Sequence, residues 1–103
     1  MKKYYYIKNI YTGKKERVWL EKDTYANNNA LYIGLMCKDG PYSDVTVNLS
    51  NYRIGKNDAF VDTNNNPGID RWLAKRGIAK PSLVLGISGW CAYPMMRFNM
   101  DKI

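Results

Sequence analysis

Alternation of apolar and polar residues runs through much of the chain and predicts a protein built mostly of β-strands. Residues 3–10 are rich in Tyr and Ile, and the turn-forming segment Tyr11–Lys14 follows them. Val18 and Leu20 then alternate with more polar neighbours, which predicts a β-hairpin. The Asn-rich segment Ala26–Ala30 predicts a loop after this hairpin.

A second hairpin is predicted in the middle of the chain. Leu31–Cys37 is apolar on both faces, which is typical of a central strand. In the segment Val45–Leu49, Val45, Val47 and Leu49 alternate with polar residues, as expected for a strand with one face in water. The turn residues Asp39–Pro41 would connect the two strands. Ala59–Asp62 predicts a further short strand.

One segment has helical periodicity. Pro67 suits the first helical position, and Asn66 before it suits the N-cap. Three apolar residues then share a face at i, i+3 and i+4, namely Ile69, Trp72 and Leu73. Gly77 supplies the expected C-terminal stop. These signals predict a short amphipathic helix over residues 67–76.

The C-terminal segment predicts a loop around Gly86–Pro94 and a last strand at about residues 95–100. At 103 residues with 46% hydrophobic content, the chain predicts one folded domain over residues 1–103. The expected fold class is α+β, with mostly antiparallel β-sheet and one short helix.

Several patterns bear on where the protein acts. The longest apolar run, Ala30–Cys37, is far shorter than the roughly 20 residues of a membrane helix. The two N-terminal lysines precede an apolar stretch that Lys8 and Asn9 interrupt, which is unlike a secretory signal. We therefore expect a cytoplasmic protein without a membrane partner, in which Cys37 and Cys91 are free and buried.

The net charge of +7 predicts attraction to polyanions, with nucleic acid, nucleotides or an acidic protein surface as candidates. A second interpretation attributes part of the excess to codon bias, because Lys, Asn, Tyr and Ile are all over-used and all have adenine- and thymine-rich codons. The charge acts physically whatever its origin.

Catalytic chemistry is sparse in this sequence. The chain has no histidine, which removes the usual base for a serine or cysteine nucleophile and the commonest transition-metal ligand. Two separate cysteines cannot form a structural zinc site, and the glycines match no phosphate-binding motif. We expect a protein that is not an enzyme and uses no cofactor or metal.

The segment Asp62–Asn66 has two interpretations that the sequence leaves open. Asparagines tolerate left-handed backbone conformations, so the segment can serve only as a turn and helix start. Alternatively, Asp62, Thr63, Asn64 and Asn65 supply hydrogen bonds to a ligand at the helix start.

Candidate binding residues also occur near both ends of the chain. Lys2, Lys3, Lys14 and Lys15 are the expected basic surface, and Tyr5, Arg17 and Trp19 could share an exposed face as a stacking platform. Core packing competes as an explanation for the tyrosines at positions 4–6. Three C-terminal residues complete the candidate set: Trp90, Tyr93 and Arg97.

Three segments carry a family resemblance: "TVNLSNY" at Thr46–Tyr52, "AFVDTNNNPG" at Ala59–Gly68 and "SGWCAYPMMRFNMDKI" at Ser88–Ile103. Together they cover about residues 31–103, and the chain resembles a family of small bacterial and phage proteins termed domain of unknown function 4313. Ser50 and Trp90 depart from its pattern. The resemblance implies an accessory gene of phages or conjugative elements and attaches no activity to it.

The resemblance, the charge and the missing catalytic groups lead to three function hypotheses. The first is a non-enzymatic counter-defence protein, similar in role to an anti-CRISPR, that binds a host defence protein or ribonucleoprotein, or its RNA or DNA. The second is a sponge that sequesters a nucleotide immune signal, using Asp62–Asn65 with Trp90 or Tyr93. The third is a non-specific nucleic-acid-binding accessory factor.

Overall fold

The computed structural model describes residues 2–103, which form two four-stranded antiparallel sheets and one short α-helix. The first sheet has the strand order β1 (Tyr5–Lys8), β2 (Lys15–Thr24), β3 (Leu31–Cys37) and β4 (Gly40–Asp44). The second has β5 (Thr46–Val47), β6 (Asp58–Val61), β7 (Ala79–Ser88) and β8 (Cys91–Phe98), in the order β5-β6-β8-β7. Helix α1 (Ile69–Lys75) connects β6 to β7, and a 3-10 helix follows at Met100–Lys102. The predicted α+β class is confirmed.

Both sheets and the helix contribute to one hydrophobic core. Inward residues of β2 and β3 meet inward residues of β6 and β8, and Ile69 and Leu73 of α1 pack against them. The alternation that predicted β2 is confirmed, because Val18 and Leu20 are buried on either side of the half-buried Trp19, whereas all four residues of β6 are buried. In the described part of the chain, no helix is both long and apolar enough to span a membrane.

The first two predicted strands and the central strand agree with the structure. β1 pairs with β2 across the turn at residues 9–14, and β3 lies between β2 and β4 as expected. Residues 26–30 form the predicted loop. Cys37 and Cys91 are both free, although each is half-buried rather than buried.

The second hairpin was placed incorrectly. Only Lys38 and Asp39 form its turn, and β4 begins at Gly40 instead of Val45. Pro41 is tolerated within β4 because this strand lies at the edge of the sheet. Val45 is a buried crossing point between the two sheets, after which β5 contains only Thr46 and Val47.

The helix is shorter than predicted and begins differently. Gly68, with φ of 83°, is the N-cap residue, so the predicted cap at Asn66 is wrong. The Asn66 side chain instead donates to the carbonyl oxygen of Asp44 at 2.9 Å and accepts from the Ser43 hydroxyl at 2.5 Å. Asn66 thus fastens the segment before the helix to the end of β4.

The C-terminal prediction needs the largest correction. The expected loop at Gly86–Pro94 is a β-hairpin in which β7 and β8 are joined by a tight turn at Gly89 and Trp90. The expected last strand therefore begins at Cys91 and ends at Phe98. Gly86 lies within β7 rather than in the turn. A side chain at this position would overlap Leu49 and Phe60, which explains the glycine.

Candidate nucleic-acid interface

The outer surface of β1 and β2 carries cations and aromatic rings side by side. Tyr5 pairs with Val18, which is fully buried, so Tyr5 and Val18 point inward and their neighbours along both strands point outward. Tyr6 pairs with Arg17, and Lys8 pairs with Lys15, on the outward side. We call this surface the basic–aromatic face and define it by seven residues: Lys2, Tyr4, Tyr6, Lys8, Lys15, Arg17 and Trp19.

Cations and rings contact each other along the basic–aromatic face. The Lys2 ammonium lies 4.0 Å from the centroid of the Trp19 ring, and the Arg17 guanidinium lies 4.5 Å from that of Tyr4. The Tyr4 and Trp19 rings meet edge to face with centroids 5.9 Å apart. Such contacts hold flexible cations near the aromatic surface without neutralising their charge. Tyr6 keeps more than half of its surface exposed beside them.

The strand that carries half of this face is fixed to the rest of the protein. The Tyr6 carbonyl oxygen accepts hydrogen bonds from Trp72 Nε1 at 3.0 Å and Arg76 Nη2 at 3.2 Å. On the inner side, the Tyr5 hydroxyl donates to the Lys102 carbonyl oxygen at 2.7 Å. The Trp19 indole is oriented by donating to Glu21 Oε2 at 2.9 Å. The rings are therefore held in place before any ligand arrives.

Among residues 2–103, no cation of the basic–aromatic face forms a salt bridge, although the Glu21 carboxylate lies on the same side of β2 beside Trp19. Within residues 2–103 the single salt bridge joins Arg97 to Asp58, on the other sheet. Glu16 alternates with Arg17 and pairs with Ile7, which places it on the inner side of β2. Lys2, Lys8, Lys15 and Arg17 consequently present four positive charges that a polyanion can approach directly.

The structure assembles part of the predicted stacking platform and corrects one member. Arg17 and Trp19 lie together as expected, but Tyr5 points inward and packs its ring 6.1 Å from that of Trp72. Tyr4 takes the expected place of Tyr5, because β1 alternates one residue out of step with the prediction. Lys3 and Lys14 are exposed but precede β1 and β2 rather than lying in the paired strands.

The segment Asp62–Asn65 forms a closed turn between β6 and α1. Asp62 is buried, and its carboxylate accepts from the Asn65 backbone amide at 3.1 Å and from Asn65 Nδ2 at 2.8 Å. Thr63 is half-buried, and its amide donates to the Val61 carbonyl oxygen. Asn64 is exposed at the tip. Within the turn, the side chains of Asp62 and Asn65 are therefore hydrogen-bonded to each other.

The three C-terminal candidates lie on the second sheet. Trp90 is fully exposed at the tip of the β7–β8 hairpin, whereas Arg97 donates from Nε to the buried Asp58 at 3.0 Å. The pKa of Tyr93 is raised, first by the neighbouring Cys91 and in smaller part by the charge of Asp62. Continuing the antiparallel register of β6 and β8 places Tyr93 opposite Asp62, as the sponge hypothesis requires, whereas Arg97 has a structural partner.

Two surface cavities lie away from the three C-terminal candidates, and the first of them adjoins Lys8 of the basic–aromatic face. One of about 430 Å³ is lined by the β1–β2 turn, Tyr42, Trp72 and the residues before α1, including Asn65. The other, about 990 Å³, is a polar groove between the loop at residues 28–31 and the segment 50–57. Neither is lined by Asp62, Tyr93 or Trp90. Among residues 2–103, no cluster of three or more Cys, Asp or Glu side chains could hold a metal ion.

Sequence reasoning missed Tyr4, Tyr6 and Lys8 as members of the basic–aromatic face. Three consecutive tyrosines do not show which one points inward, and that follows only from the register with Val18. The available signal was the spacing Tyr4, Tyr6, Lys8, which is the two-residue period of one strand face. Sequence reasoning also missed the apolar residues exposed on the β7–β8 hairpin.

Comparison with known proteins gives one match. The family model described as Domain of unknown function (DUF4313) matches residues 19–103, which extends further toward the N-terminus than the resemblance seen in the sequence. The chain matches no curated protein and no solved structure with significant similarity. Apart from Trp19, the basic–aromatic face lies before the matched region. Since the match covers most of its length, the chain belongs to the family described as Domain of unknown function (DUF4313).

Proposed function

We propose that this chain is a non-enzymatic accessory protein that binds single-stranded RNA or DNA through the basic–aromatic face. The observation that carries the proposal is that exposed tyrosines and four cations lie together on one side of the β1–β2 hairpin, and that none of these cations forms a salt bridge. Aromatic rings stack on bases of any sequence, and adjacent cations attract the phosphates. This combination favours binding without sequence preference.

The spacing of the rings favours a single strand over a duplex. Tyr4 and Tyr6 lie two residues apart on one strand face, which corresponds to about 6.8 Å. Successive nucleotides in one strand of a duplex, and therefore their stacked bases, are separated by only about 3.4 Å of helix axis. Bases that stack on both rings must therefore be spread apart and unpaired. The one α-helix supports this choice, because it packs Ile69 and Leu73 into the core and leaves too few outward residues to read a groove.

A pair of matched double variants tests the electrostatic part of the proposal. Lys8→Gln with Lys15→Gln removes two charges from the basic–aromatic face, and Lys38→Gln with Lys75→Gln removes two exposed charges elsewhere. Binding of a labelled oligonucleotide is followed by fluorescence anisotropy over a range of salt concentrations. The slope of log affinity against log salt should fall in magnitude by about 1.4 for the first pair and stay unchanged for the second. Equal slopes for both pairs would remove the support for this face.

A second pair tests stacking. Tyr6→Ala should weaken binding by about 1–3 kcal/mol, the usual contribution of one stacked base. Tyr11→Ala is the matched control, because Tyr11 is also strongly exposed but lies in the β1–β2 turn. Comparison of a single-stranded oligonucleotide with its duplex completes the design. Tighter binding of the duplex would contradict the ring-spacing argument.

The counter-defence role that the family resemblance suggests would give this nucleic-acid binding a biological setting. In that setting, the basic–aromatic face would occupy the nucleic acid of a host effector complex. The tagged chain is therefore used to capture partners from a host lysate with and without nuclease. A large complex retained only without nuclease supports both the nucleic-acid binding and this setting. A complex that survives nuclease and tolerates Lys2→Glu, Lys3→Glu, Lys14→Glu and Lys15→Glu together would point to a different surface.

The sponge hypothesis has weaker support. Although Tyr93 lies near Asp62, the Asp62 carboxylate is buried and already accepts two hydrogen bonds from Asn65. A nucleotide would have to displace these bonds or bind without them. A thermal shift with cyclic nucleotides that is lost in Tyr93→Phe would restore this hypothesis.

A further inference from the structure

The β7–β8 hairpin exposes an apolar surface that no other part of residues 2–103 covers. Five of its residues are strongly exposed: Leu83 (99%), Val84 (42%), Leu85 (59%), Ile87 (57%) and Trp90 (104%). The segment Pro81–Met96 contains no charged residue, although the chain as a whole has 25 charged side chains, 16 basic and 9 acidic. Contiguous exposed apolar surface of this kind is typical of an interface. We call these five residues the hairpin patch.

Part of the hairpin patch continues the surface that forms the core. Leu85 pairs with Pro94 and Ile87 pairs with Ala92, and these proline and alanine positions alternate in step with the buried Met96. Along the same strand face, therefore, β8 passes from the packed interior to water. The exposed residues on this face are therefore apolar, like those of a sheet that is covered by another layer.

The hairpin is held rigidly in the exposed position. On its other face Gly86 lies so close to Leu49 and Phe60 that an added Cβ would be 2.5 Å and 2.7 Å from their nearest carbons. The Ile87 amide donates to the Tyr52 hydroxyl at 2.9 Å. A surface that is already ordered loses little conformational entropy when it binds.

Leu83 adds a sign of constraint at the hairpin patch. Its backbone has φ of 59°, in the left-handed region that a branched residue rarely adopts, and its side chain is fully exposed. It lies in the irregularity between Pro81 and Leu85, where the register of β7 and β8 shifts. Strained backbone that gains no internal packing is more often found at functional sites than elsewhere.

We infer that the hairpin patch binds the same patch of a second copy of this chain, giving a symmetric dimer. Charge supports this occupant, because a chain with net charge +7 repels its own copies wherever lysines and arginines lie, and the segment Pro81–Met96 is free of them. Area supports it as well. From their exposed fractions the five residues expose roughly 700 Å² per copy, so a contact that covers them completely buries about 1,400 Å², within the range of about 1,200–2,000 Å² for specific interfaces.

The two chains should associate by face-to-face packing of their hairpin patches, and the assembly should not grow beyond a dimer. The outer edge of β7 is interrupted by the Leu83 irregularity and by the Tyr52 hydroxyl on Ile87, so a second strand cannot pair along it. A symmetric contact that uses one patch on each copy is closed. The expected assembly is therefore two chains, with the basic–aromatic faces outside the contact.

Sedimentation velocity from about 1 to about 300 μM tests the inference. The wild-type chain should shift from the monomer mass of 11.9 kDa toward twice that value as concentration rises. Ile87→Lys places like charges across the symmetric contact and Trp90→Ser removes the largest side chain. Each should raise the dissociation constant at least about tenfold. Tyr11→Lys makes a comparable change at an exposed residue outside the patch and should leave the dimer intact.

Circular dichroism of each variant establishes that it is folded. Trp90→Ser should fold normally, because the Trp90 side chain is fully exposed at the hairpin tip and takes no part in core packing. Wild type that stays monomeric over the whole range overturns the inference, and so does a dimer that both patch variants leave unchanged. The monomeric case is then examined with anionic phospholipid vesicles. Binding that needs Trp90 would assign the hairpin patch to a lipid surface, and its absence would assign it to a different protein.

Discussion

Asp62 shows how a single buried acid can organise a turn. Its two carboxylate oxygens accept from the backbone and the side chain of Asn65, and its own carbonyl oxygen accepts from the Asn66 amide at 3.0 Å. Its backbone amide in turn donates to Val45 at 2.8 Å. One residue thus connects the end of β6, the crossing point between the sheets and the approach to α1.

Replacing Asp62 by alanine should therefore destabilise the fold. Asn65 loses two hydrogen bonds to a charged acceptor, and because Asn65 is exposed its donors can bond to water instead, so the expected loss in the free energy of unfolding is about 1–3 kcal/mol. Urea unfolding followed by tryptophan fluorescence measures the change. Asn64→Ala is the control within the same turn, because its exposed side chain should alter stability by less than about 0.5 kcal/mol. Equal effects of the two substitutions would show that the Asp62 carboxylate is not what holds the turn.

The Tyr32–Asp44 pair predicts a pH effect on stability. The Tyr32 hydroxyl donates to Asp44 Oδ1 at 2.6 Å, and this hydrogen bond, with burial and the nearby charges, raises the pKa of Tyr32 to about 12. Because the pKa is raised on folding, the pair stabilises the protein fully below the unfolded tyrosine pKa of about 10. That stabilisation is lost as the pH rises from about 10 to about 12.

Comparison of wild type with Tyr32→Phe isolates this effect. The difference in unfolding free energy between the two proteins should be constant up to about pH 10 and should shrink above it. Urea midpoints at a series of alkaline pH values give the measurement. A difference that stays constant to pH 12 would mean that Asp44 does not hold the Tyr32 proton.

At the scale of elements, the β7–β8 hairpin depends on a glycine that has nothing to do with turning the chain. Gly86 lets β7 lie against Leu49 and Phe60, and the Tyr52 ring packs 5.1 Å from that of Phe60. These residues form a small packed layer on the face of the second sheet that points away from the main core. The layer holds the hairpin, and with it the hairpin patch, in position.

Gly86→Ala should disturb that layer. The new methyl group overlaps ring and methyl carbons that are themselves packed, so we expect a loss of about 1–3 kcal/mol in unfolding free energy. Thermal unfolding followed by circular dichroism gives the measurement. Ser88→Ala is the matched control, since Ser88 lies two residues further on the same face and is exposed. A Gly86→Ala variant as stable as this control would show that β7 shifts freely.

The hairpin also shows where sequence patterns lose their information. Gly86, Gly89 and Pro94 all resemble turn signals, yet only Gly89 lies in the turn. Gly86 is required by a residue 37 positions earlier, Leu49, and such a contact leaves no local pattern. The helix was predicted better, because Ile69 and Leu73 are spaced as the helix itself requires. Its start was missed because Asn66 is engaged by the distant Asp44 and Ser43.

The basic–aromatic face was predicted only in part, because some of its members are assigned by a local pattern and others by the pairing of two strands. Arg17 and Trp19 are assigned to one face by alternation with Val18 within a single strand. Which of Tyr4, Tyr5 and Tyr6 joins them depends on the pairing between β1 and β2, and a one-residue change in register exchanges the faces. The sequence contains the residues of the site but does not state their register.

At the scale of the whole molecule, β1 lies outside the region that matches the family, yet it is bound to two separate parts of that region. Trp72 of α1 and Arg76 directly after it donate to the Tyr6 carbonyl oxygen, and the Tyr5 hydroxyl donates to the Lys102 carbonyl oxygen near the C-terminus. The candidate interface therefore depends on elements distant in sequence. Loss of these contacts should release β1 while the central strands stay intact.

Trp72→Phe tests this dependence. It removes the indole donor to Tyr6 and keeps an aromatic ring against Tyr5. Loss of one hydrogen bond, about 1 kcal/mol, should speed hydrogen exchange of the β1 amides roughly fivefold and leave the β3 amides unchanged. Trp90→Phe makes the same chemical change at an exposed tip and serves as the control. Unchanged exchange in β1 would show that the helix does not hold this strand.

The same hydrogen bonds on Tyr6 have a consequence for how the protein behaves when it is abundant. Unpaired strand edges are templates on which other chains grow into fibrils. Here β1 is covered by donors from α1, β4 carries Pro41, β5 has only two residues, and β7 is interrupted at Leu83. Each sheet is thus closed at both ends against further strands. Although nearly half of its residues are in strands, we therefore expect this chain to resist growth into fibrils.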